Sequence, residues 1–259
     1  MVLLLFALLG TGCDGAAEAF RAGQVERAAG LARACIAAGS ATSDTYKLLA
    51  LSSFLLNRLD DYRANMEKAI ALNPLDSSAY YHLGRFFYEN KSFNEAVERF
   101  QTALRIDAEN YRAHYFLGLC RQATSDPKGA ADSFRKAIEV VERTKVAYGW
   151  PFADLGDMLI TQGDFEGGLA WIYRGTRNDP AQPYTHYVYA RALMRREPTF
   201  EVEQSLERAI KLDPGYTEAY YVLGRYYTRI GDAERARTAF AKFGELRKNP
   251  VPSPFGLRR

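Results

Sequence analysis

An excess of charge of either sign is missing from this chain. Lys and Arg number 34 against 31 Asp and Glu, a formal net charge of +3 over 259 residues. So balanced a composition leaves no electrostatic footprint for nucleic acid, which is not an expected partner. Cysteine is scarce: Cys13, Cys35 and Cys120 cannot build a disulfide framework, and no C-x-x-C spacing offers a metal site. Histidine is confined to His82, His114 and His186, scattered along the chain. The motifs H-E-x-x-H, G-x-S-x-G and a phosphate-cradling glycine loop are all absent, and Gly167-Gly168 has no Lys after it. Asp154 and Asp157 stand three apart and can receive a basic partner, but a lone carboxylate pair is a weak catalytic signal. The expectation is no catalytic residue, no metal and no cofactor. Long apolar runs are lacking too. The run Val2 to Leu9 is eight residues, where a membrane-spanning helix needs about 20. Tyrosine and phenylalanine, by contrast, are plentiful, 17 and 15 beside 2 Trp. With 47% hydrophobic and 25% charged residues, wholesale disorder is excluded.

A period of 34 residues organises most of the chain. The pairs Leu49-Ala50, Leu83-Gly84, Leu117-Gly118, Leu155-Gly156, Tyr189-Ala190 and Leu223-Gly224 recur at spacings of 34, 34, 38, 34 and 34. A ring precedes each by three: Tyr46, Tyr80, His114, Phe152, His186 and Tyr220. Sixteen residues after the Gly or Ala stands a large apolar side chain: Met66, Phe100, Phe134, Ile172, Leu206 and Phe240. Within 77–110, Tyr80, Leu83, Gly84 and Phe87 lie on one helical face, and after a turn at Asn90-Lys91-Ser92 so do Phe93, Ala96, Val97, Phe100 and Leu104. Each period is therefore two helices. Gly84 and Ala96 are small so that the helix axes can approach within about 8–10 Å. Asp126-Pro127 reads as a helix cap followed by proline at the first helical position.

This pattern resembles the tetratricopeptide repeat (TPR) family. The resemblance covers 43–144 in units 43–76, 77–110 and 111–144, and 149–250 in units 149–182, 183–216 and 217–250, with Lys145 to Tyr148 as extra residues between them. A degenerate first repeat occupies 13–42, with Gly23 and Ala28 in register. The resemblance implies an all-α fold, a right-handed α-solenoid of antiparallel helix pairs, whose first helices line a concave groove that binds a protein or peptide segment.

At 100° per residue, repeat positions 4, 7, 8 and 11 form the packed sector and positions 2, 5, 9, 12 and 13 face away from it. Those outward positions hold Tyr81, Arg85, Tyr88, Tyr115, Tyr187, Arg191, Tyr221 and Arg225. Tyr and Arg are enriched at interface hot spots, so these eight are the candidate ligand groove. The same residues could instead pack on the next unit. A carboxylate clamp is not expected, because Lys47 is followed by Leu51 where the family's clamp needs Asn. His114 and His186 read as core rings, and Cys35 and Cys120 as buried free thiols too far apart to pair.

The start of the chain is read separately. Residues 1–12 carry a short apolar run, then small residues lead into Cys13, which resembles the lipobox of bacterial lipoproteins. That resemblance implies a lipoprotein-type signal peptide over 1–12, lipidation of Cys13 and a membrane tether in the bacterial cell envelope. A plain secretory leader to the periplasm, or an apolar first helix of a cytoplasmic protein, remain the alternatives. The function expected is a non-catalytic scaffold for a protein partner, or alternatively a polysaccharide-binding or secretion-accessory lipoprotein. Residues 251–259 contain Pro252 and Pro254 and read as a flexible tail. The last second helix, Ala233 to Lys248, has no following unit, so Phe240 and Phe243 need a cover, either that tail or a partner.

Overall fold

The computed structural model describes residues 12–250; the apolar run at 2–9 and the tail at 251–259 lie outside the described residues. Among the described residues the fold is all-α, fourteen helices and no strand. They succeed one another as α1 (Gly12–Arg21), α2 (Val25–Ala37), α3 (Ser43–Leu55), α4 (Leu59–Leu72), α5 (Ser77–Glu89), α6 (Phe93–Ile106), α7 (Tyr111–Ala123), α8 (Pro127–Thr144), α9 (Trp150–Thr161), α10 (Phe165–Asn178), α11 (Pro183–Leu193), α12 (Phe200–Leu212), α13 (Thr217–Arg229) and α14 (Ala233–Lys248). Two compact units divide the chain, one ending at Ala130 and the other beginning at Ala131. Within each unit consecutive helices pack on one another, as in an α-solenoid.

The helix pairs are closed by local chemistry at fixed places in the repeat. Asp76 and Asn110 cap α5 and α7 through the backbone N–H groups of Ala79 and Ala113. Asp126, Asp164 and Asp232 do the same for the second helices α8, α10 and α14. The turn inside a pair reverses direction through one residue with left-handed backbone. It falls at repeat position 15, and Gly23, Asn57, Lys91, Ser125, Gly163 and Gly231 all have φ between 55° and 100° there. Glu197 occupies that position in 183–216 and does not adopt it. There α11 stops at Leu193 and α12 starts only at Phe200. The shortened end of α11 is closed from α13, where Arg229 donates to the carbonyls of Met194, at 2.7 Å, and of Arg196.

Small residues sit where helices cross. A Cβ on Gly84 would lie 2.7 Å from the Phe100 ring, and one on Gly224 equally close to Phe240. In 149–182 the crossing is tighter, since a Cβ on Gly156 would meet the backbone carbonyl of Gly168. This close approach lets the large residue at position 24 disappear from solvent. Met66, Phe100, Phe134, Ile172 and Leu206 are each 0% exposed. Full burial of such a side chain is worth about 1.5–3 kcal/mol. The four extra residues after α8 are pinned by Asn178, which accepts from the Tyr148 N–H and donates to the Val146 carbonyl.

Two expectations are corrected. Cys35 is not a free thiol: it forms a disulfide with Cys13, Cα atoms 5.5 Å apart, tying α1 to α2. The distance argument against pairing concerns Cys120 alone and leaves out Cys13, which the leader reading sets aside. Cys120 is free and buried, and burial pushes its thiol up to about 12. His114 and His186 are only half-buried, and their Nε2 atoms bond the carbonyls of Ala108 and Pro180. Tyr220 does the same to Pro214 through its hydroxyl. The ring at position 4 thus fastens the turn that precedes its own helix.

Backbone conformation alone separates two glycines with open space around them. Gly231→Ala should cost about 1 kcal/mol, because alanine resists the left-handed region. Gly30→Ala, inside α2, should stabilise by about 0.5–1 kcal/mol. Urea unfolding of the two variants beside the parent protein checks both signs.

Candidate functional site

Half of the expected groove residues lie in the first compact unit, and there they are packing residues. Tyr81 is 9% exposed, with its ring 6.1 Å from Phe100 and 6.0 Å from Phe116. The Arg85 guanidinium lies 5.1 Å over Phe116 and 2.6 Å from the Glu89 carboxylate. Tyr88 meets Phe116 edge-on, and Tyr115 is 3% exposed against the same ring. The helical-wheel sector is right about which residues leave the α5–α6 crossing. It misses that the following helix, α7, brings Phe116 over them. Tyr81 and Tyr115 are therefore withdrawn from the ligand surface. Lys47 is also occupied, by Asp76 at 2.6 Å and Asp44 at 2.9 Å.

Another feature of this unit carries no sequence signal. Leu51, Phe54, Tyr62, His82, Arg85 and Phe86 line a small cavity of about 100 Å³ between α3 and α5. The Tyr62 hydroxyl donates to the His82 carbonyl at 2.6 Å. Burial, reinforced by Arg85 and Lys47 and opposed by Asp76, lowers the His82 imidazole to about 4.

The second unit presents the other half differently. Tyr187 sits edge-on to Tyr216 with ring centres 5.1 Å apart. Arg191 lies 5.6 Å from the Tyr187 ring centre and 2.7 Å from Asp157 of α9. Arg195 reaches the same carboxylate at 3.8 Å. Burial opposes the charge on Arg191, but Asp157 and Tyr187 beside it hold its pKa above the ordinary value. Asp154 is buried and accepts the Tyr184 hydroxyl at 2.6 Å, while Trp150 stacks on the Tyr184 ring at 4.5 Å. The basic groups that Asp157 could receive are thus supplied by the chain itself. On α13, Tyr221 is 43% exposed, and Arg225 is exposed with no ion-pair partner among the described residues. Position 9 of three successive first helices therefore reads Asp157, Arg191, Arg225, with Arg195 one turn beyond Arg191.

Deeper in the same unit lies a network that the repeat pattern hides. Glu203, 8% exposed, accepts from the Tyr227 hydroxyl at 2.7 Å and from Arg235 at 2.8 Å. Burial and the Glu203 carboxylate push the Tyr227 phenol up to about 12. This ties α12, α13 and α14 together. Among the described residues no cluster of His, Cys, Asp and Glu could hold a metal ion. Cys13, the expected lipidation site, has its sulfur in the disulfide, and one sulfur cannot also carry a thioether-linked lipid.

The His82 geometry sets a pH dependence. Above about 6.5 the imidazole is neutral in both folded and unfolded chains. As pH falls from 6.5 towards 4 the unfolded chain takes up a proton that the folded chain refuses, so stability is lost. The loss is at most about 3 kcal/mol at 1.36 kcal/mol per pKa unit. Urea midpoints between pH 7 and 4 should fall less steeply in His82→Gln than in the parent.

Known proteins with similar chains point the same way. The family described as Tetratricopeptide repeat matches residues 63–110 and 91–143, and again 205–238. The UDP-N-acetylglucosamine–peptide N-acetylglucosaminyltransferase SPINDLY of Hordeum vulgare is 26% identical over 161 residues, 58% of this chain and 16% of that protein. Anaphase-promoting complex subunit 3 of Schizosaccharomyces pombe is 21% identical over 165 residues, 64% of this chain and 24% of that protein. The chain thus spans less than a quarter of the length of these relatives. Among solved structures, the type IV pilus biogenesis factor PilW superposes with a TM-score of 0.66 at 18% identity, over 80% of this chain and 93% of that one. The Cut9–Hcn1 hetero-tetramer of the anaphase-promoting complex gives 0.73 at 12% identity, over 91% and 46%. YrrB, described as a TPR protein with an unusual peptide-binding site, gives 0.50 at 20% identity, over 71% and 93%. Such low identities speak for the fold alone. Sequence matches, helix pairing and solved likenesses agree that this chain carries tetratricopeptide repeats.

Proposed function

We propose that the protein is a non-catalytic interaction scaffold of the bacterial cell envelope that holds a protein segment rich in carboxylates. The observation that carries this reading is the charge balance of the α9, α11 and α13 wall. One carboxylate, Asp157, is shared by Arg191 and Arg195, and Arg225 has no ion-pair partner among the described residues. The wall therefore has surplus positive charge beside tyrosine rings. Guanidinium forks pair with carboxylates in two-point geometry, and Tyr supplies contact area at little entropic cost. YrrB with its peptide-binding site, the pilus biogenesis factor PilW and the Cut9–Hcn1 hetero-tetramer fit a scaffold of this kind.

Envelope location is supported by the apolar run Val2 to Leu9 and the small residues before Cys13. It is supported separately by the Cys13–Cys35 disulfide, since such bonds persist in oxidising compartments. The lipid tether and the disulfide are alternative fates of one sulfur, so a lipid on Cys13 requires a reduced Cys35. A polysaccharide along the same wall is the second reading, favoured by the Trp150–Tyr184 stack beside Asp154.

Binding is tested with a synthetic Asp/Glu-rich peptide. The double variant Arg195→Glu/Arg225→Glu should bind it at least tenfold more weakly with unchanged circular dichroism, and added salt should weaken the parent's binding. Equal binding by parent and variant, or preference for a basic peptide, rejects the acidic-partner reading. Tighter binding of alginate than of peptide puts the polysaccharide reading first.

Location is tested on protein recovered from cells. Intact-mass spectrometry should find Cys13 joined to Cys35 and released by reductant. A diacylglyceryl adduct on Cys13 would instead show the lipid-tethered form, and two free thiols in a cytoplasmic fraction would overturn the envelope assignment.

A further inference from the structure

Three positions of the repeat break their own pattern at one place in the second unit. Position 7 is Leu49, Leu83, Leu117, Leu155 and Leu223, but Tyr189 in 183–216. Position 18 is polar elsewhere, as Asp60, Asn94, Lys128, Glu166 and Glu234, but Phe200 in 183–216. Position 25 is Glu67, Gln101, Arg135, Glu207 and Ala241, but Tyr173 in 149–182. The ring centres of Tyr173 and Tyr189 lie 5.8 Å apart. The Tyr189 hydroxyl is in hydrogen-bond contact with Glu201, the neighbour of Phe200 at the start of α12. Burial first, then that carboxylate and Tyr173, hold the Tyr189 phenol above its ordinary value. Phe200 is 65% exposed and Tyr173 50%.

A cleft opens beside these rings because the tight turn is missing. Here α11 stops at Leu193 and α12 starts at Phe200, without the left-handed residue of the other repeats. Phe165, Leu169, Leu193 and Thr199 line the space left over, about 560 Å³, together with the exposed Arg196 and Glu197. Phe165, Leu169 and Tyr173 follow one another every fourth residue along α10, as Tyr189 and Leu193 do along α11. Cleft and ring pair thus make one apolar trough, about 12 Å long at 1.5 Å per helical residue. Its rim is acidic. Arg196 is already engaged, 2.5 Å from Glu166 and 4.0 Å over the Phe165 ring. Glu197 and Glu201 are exposed and have no ion-pair partner among the described residues.

We propose that this trough seats an amphipathic helix of a partner protein, with its apolar stripe on Tyr173, Tyr189, Leu193 and Phe200 and its Lys or Arg residues against Glu197 and Glu201. The walls are helices whose backbone groups bond within themselves, so an extended segment would find no main-chain partners there. A helix arrives with its own backbone satisfied. A trough about 12 Å long takes anchors at i, i+4 and i+7, two turns of such a helix. The unpaired carboxylates select basic flanks. This surface differs from the α9, α11 and α13 wall in its residues and in the sign of its charge, and does not depend on the reading of that wall.

Fluorescence anisotropy with two synthetic helical peptides tests this. Both carry Leu at i, i+4 and i+7, one with Lys and the other with Glu on its flanks. The parent protein should bind the Lys-flanked peptide at least about tenfold more tightly than the Glu-flanked one, and added salt should weaken that binding. Phe200→Asn/Tyr173→Gln, which installs residues that other repeats carry at positions 18 and 25, should weaken it about tenfold or more with an unchanged melting temperature. Glu197→Gln/Glu201→Gln should remove the preference for Lys, and Arg225→Ala, on the other wall, should change nothing. The proposal fails if the Lys-flanked peptide does not bind, if the Phe200→Asn/Tyr173→Gln variant binds it like the parent, or if the two peptides bind equally. It also fails if light scattering shows a parent mass that rises with concentration and a single-chain mass for that variant, which would make a second copy the occupant.

Discussion

Everything in this molecule depends on how closely two helices can approach at one point in each repeat. Gly84 lets the Phe100 ring lie against α5, and Gly224 offers the same seat to Phe240. In 149–182 the contact is backbone to backbone, Gly156 against Gly168. Because a single helix pair has an apolar face it cannot bury by itself, this seat matters only if the next pair arrives to finish the enclosure. The large residue at position 24 and the rings at position 5 are each completed by their successor. Stability is therefore a sum of neighbour contacts, and the ends are the weak places. The N-terminal end is held covalently by Cys13 and Cys35.

The same dependence explains the fate of the aromatic and basic residues. A Tyr or Arg on the outer side of a first helix is available to a ligand only where the next helix does not close over it. Phe116 of α7 closes over Tyr81, Arg85 and Tyr88 of α5 and lies beside Tyr115 on its own helix. Around Asp157, by contrast, charge and not ring packing governs the surface, and the arginines that meet there outnumber the carboxylate.

The helix pairs and their crossings are legible in the sequence because they are strictly local and repeat in phase. Gly84, Phe100 and the Asp126 cap need no knowledge of distant chain. Burial of the position-5 tyrosines is not legible, because a helical wheel describes one helix and the cover comes from another. The Cys13–Cys35 bond escapes a reading that places Cys13 at the end of a leader, since that leaves Cys35 without a neighbour to pair with. The Glu203–Tyr227–Arg235 network leaves no trace for a different reason: its members occupy three helices and break no rule of the period. Position 15 is partly legible, since Gly23, Gly163 and Gly231 announce a left-handed turn, but Lys91 and Ser125 adopt it without announcing it.

The short helix α11 carries the consequence of abandoning that turn. Its closing carbonyls are satisfied by Arg229, a side chain more than thirty residues later. The terminus of one repeat is thus settled by a cation delivered from another. Those two carbonyls are bonded by Arg229 only while α13 is docked beside α11. This joint is where any loosening of the last pair is felt one repeat upstream.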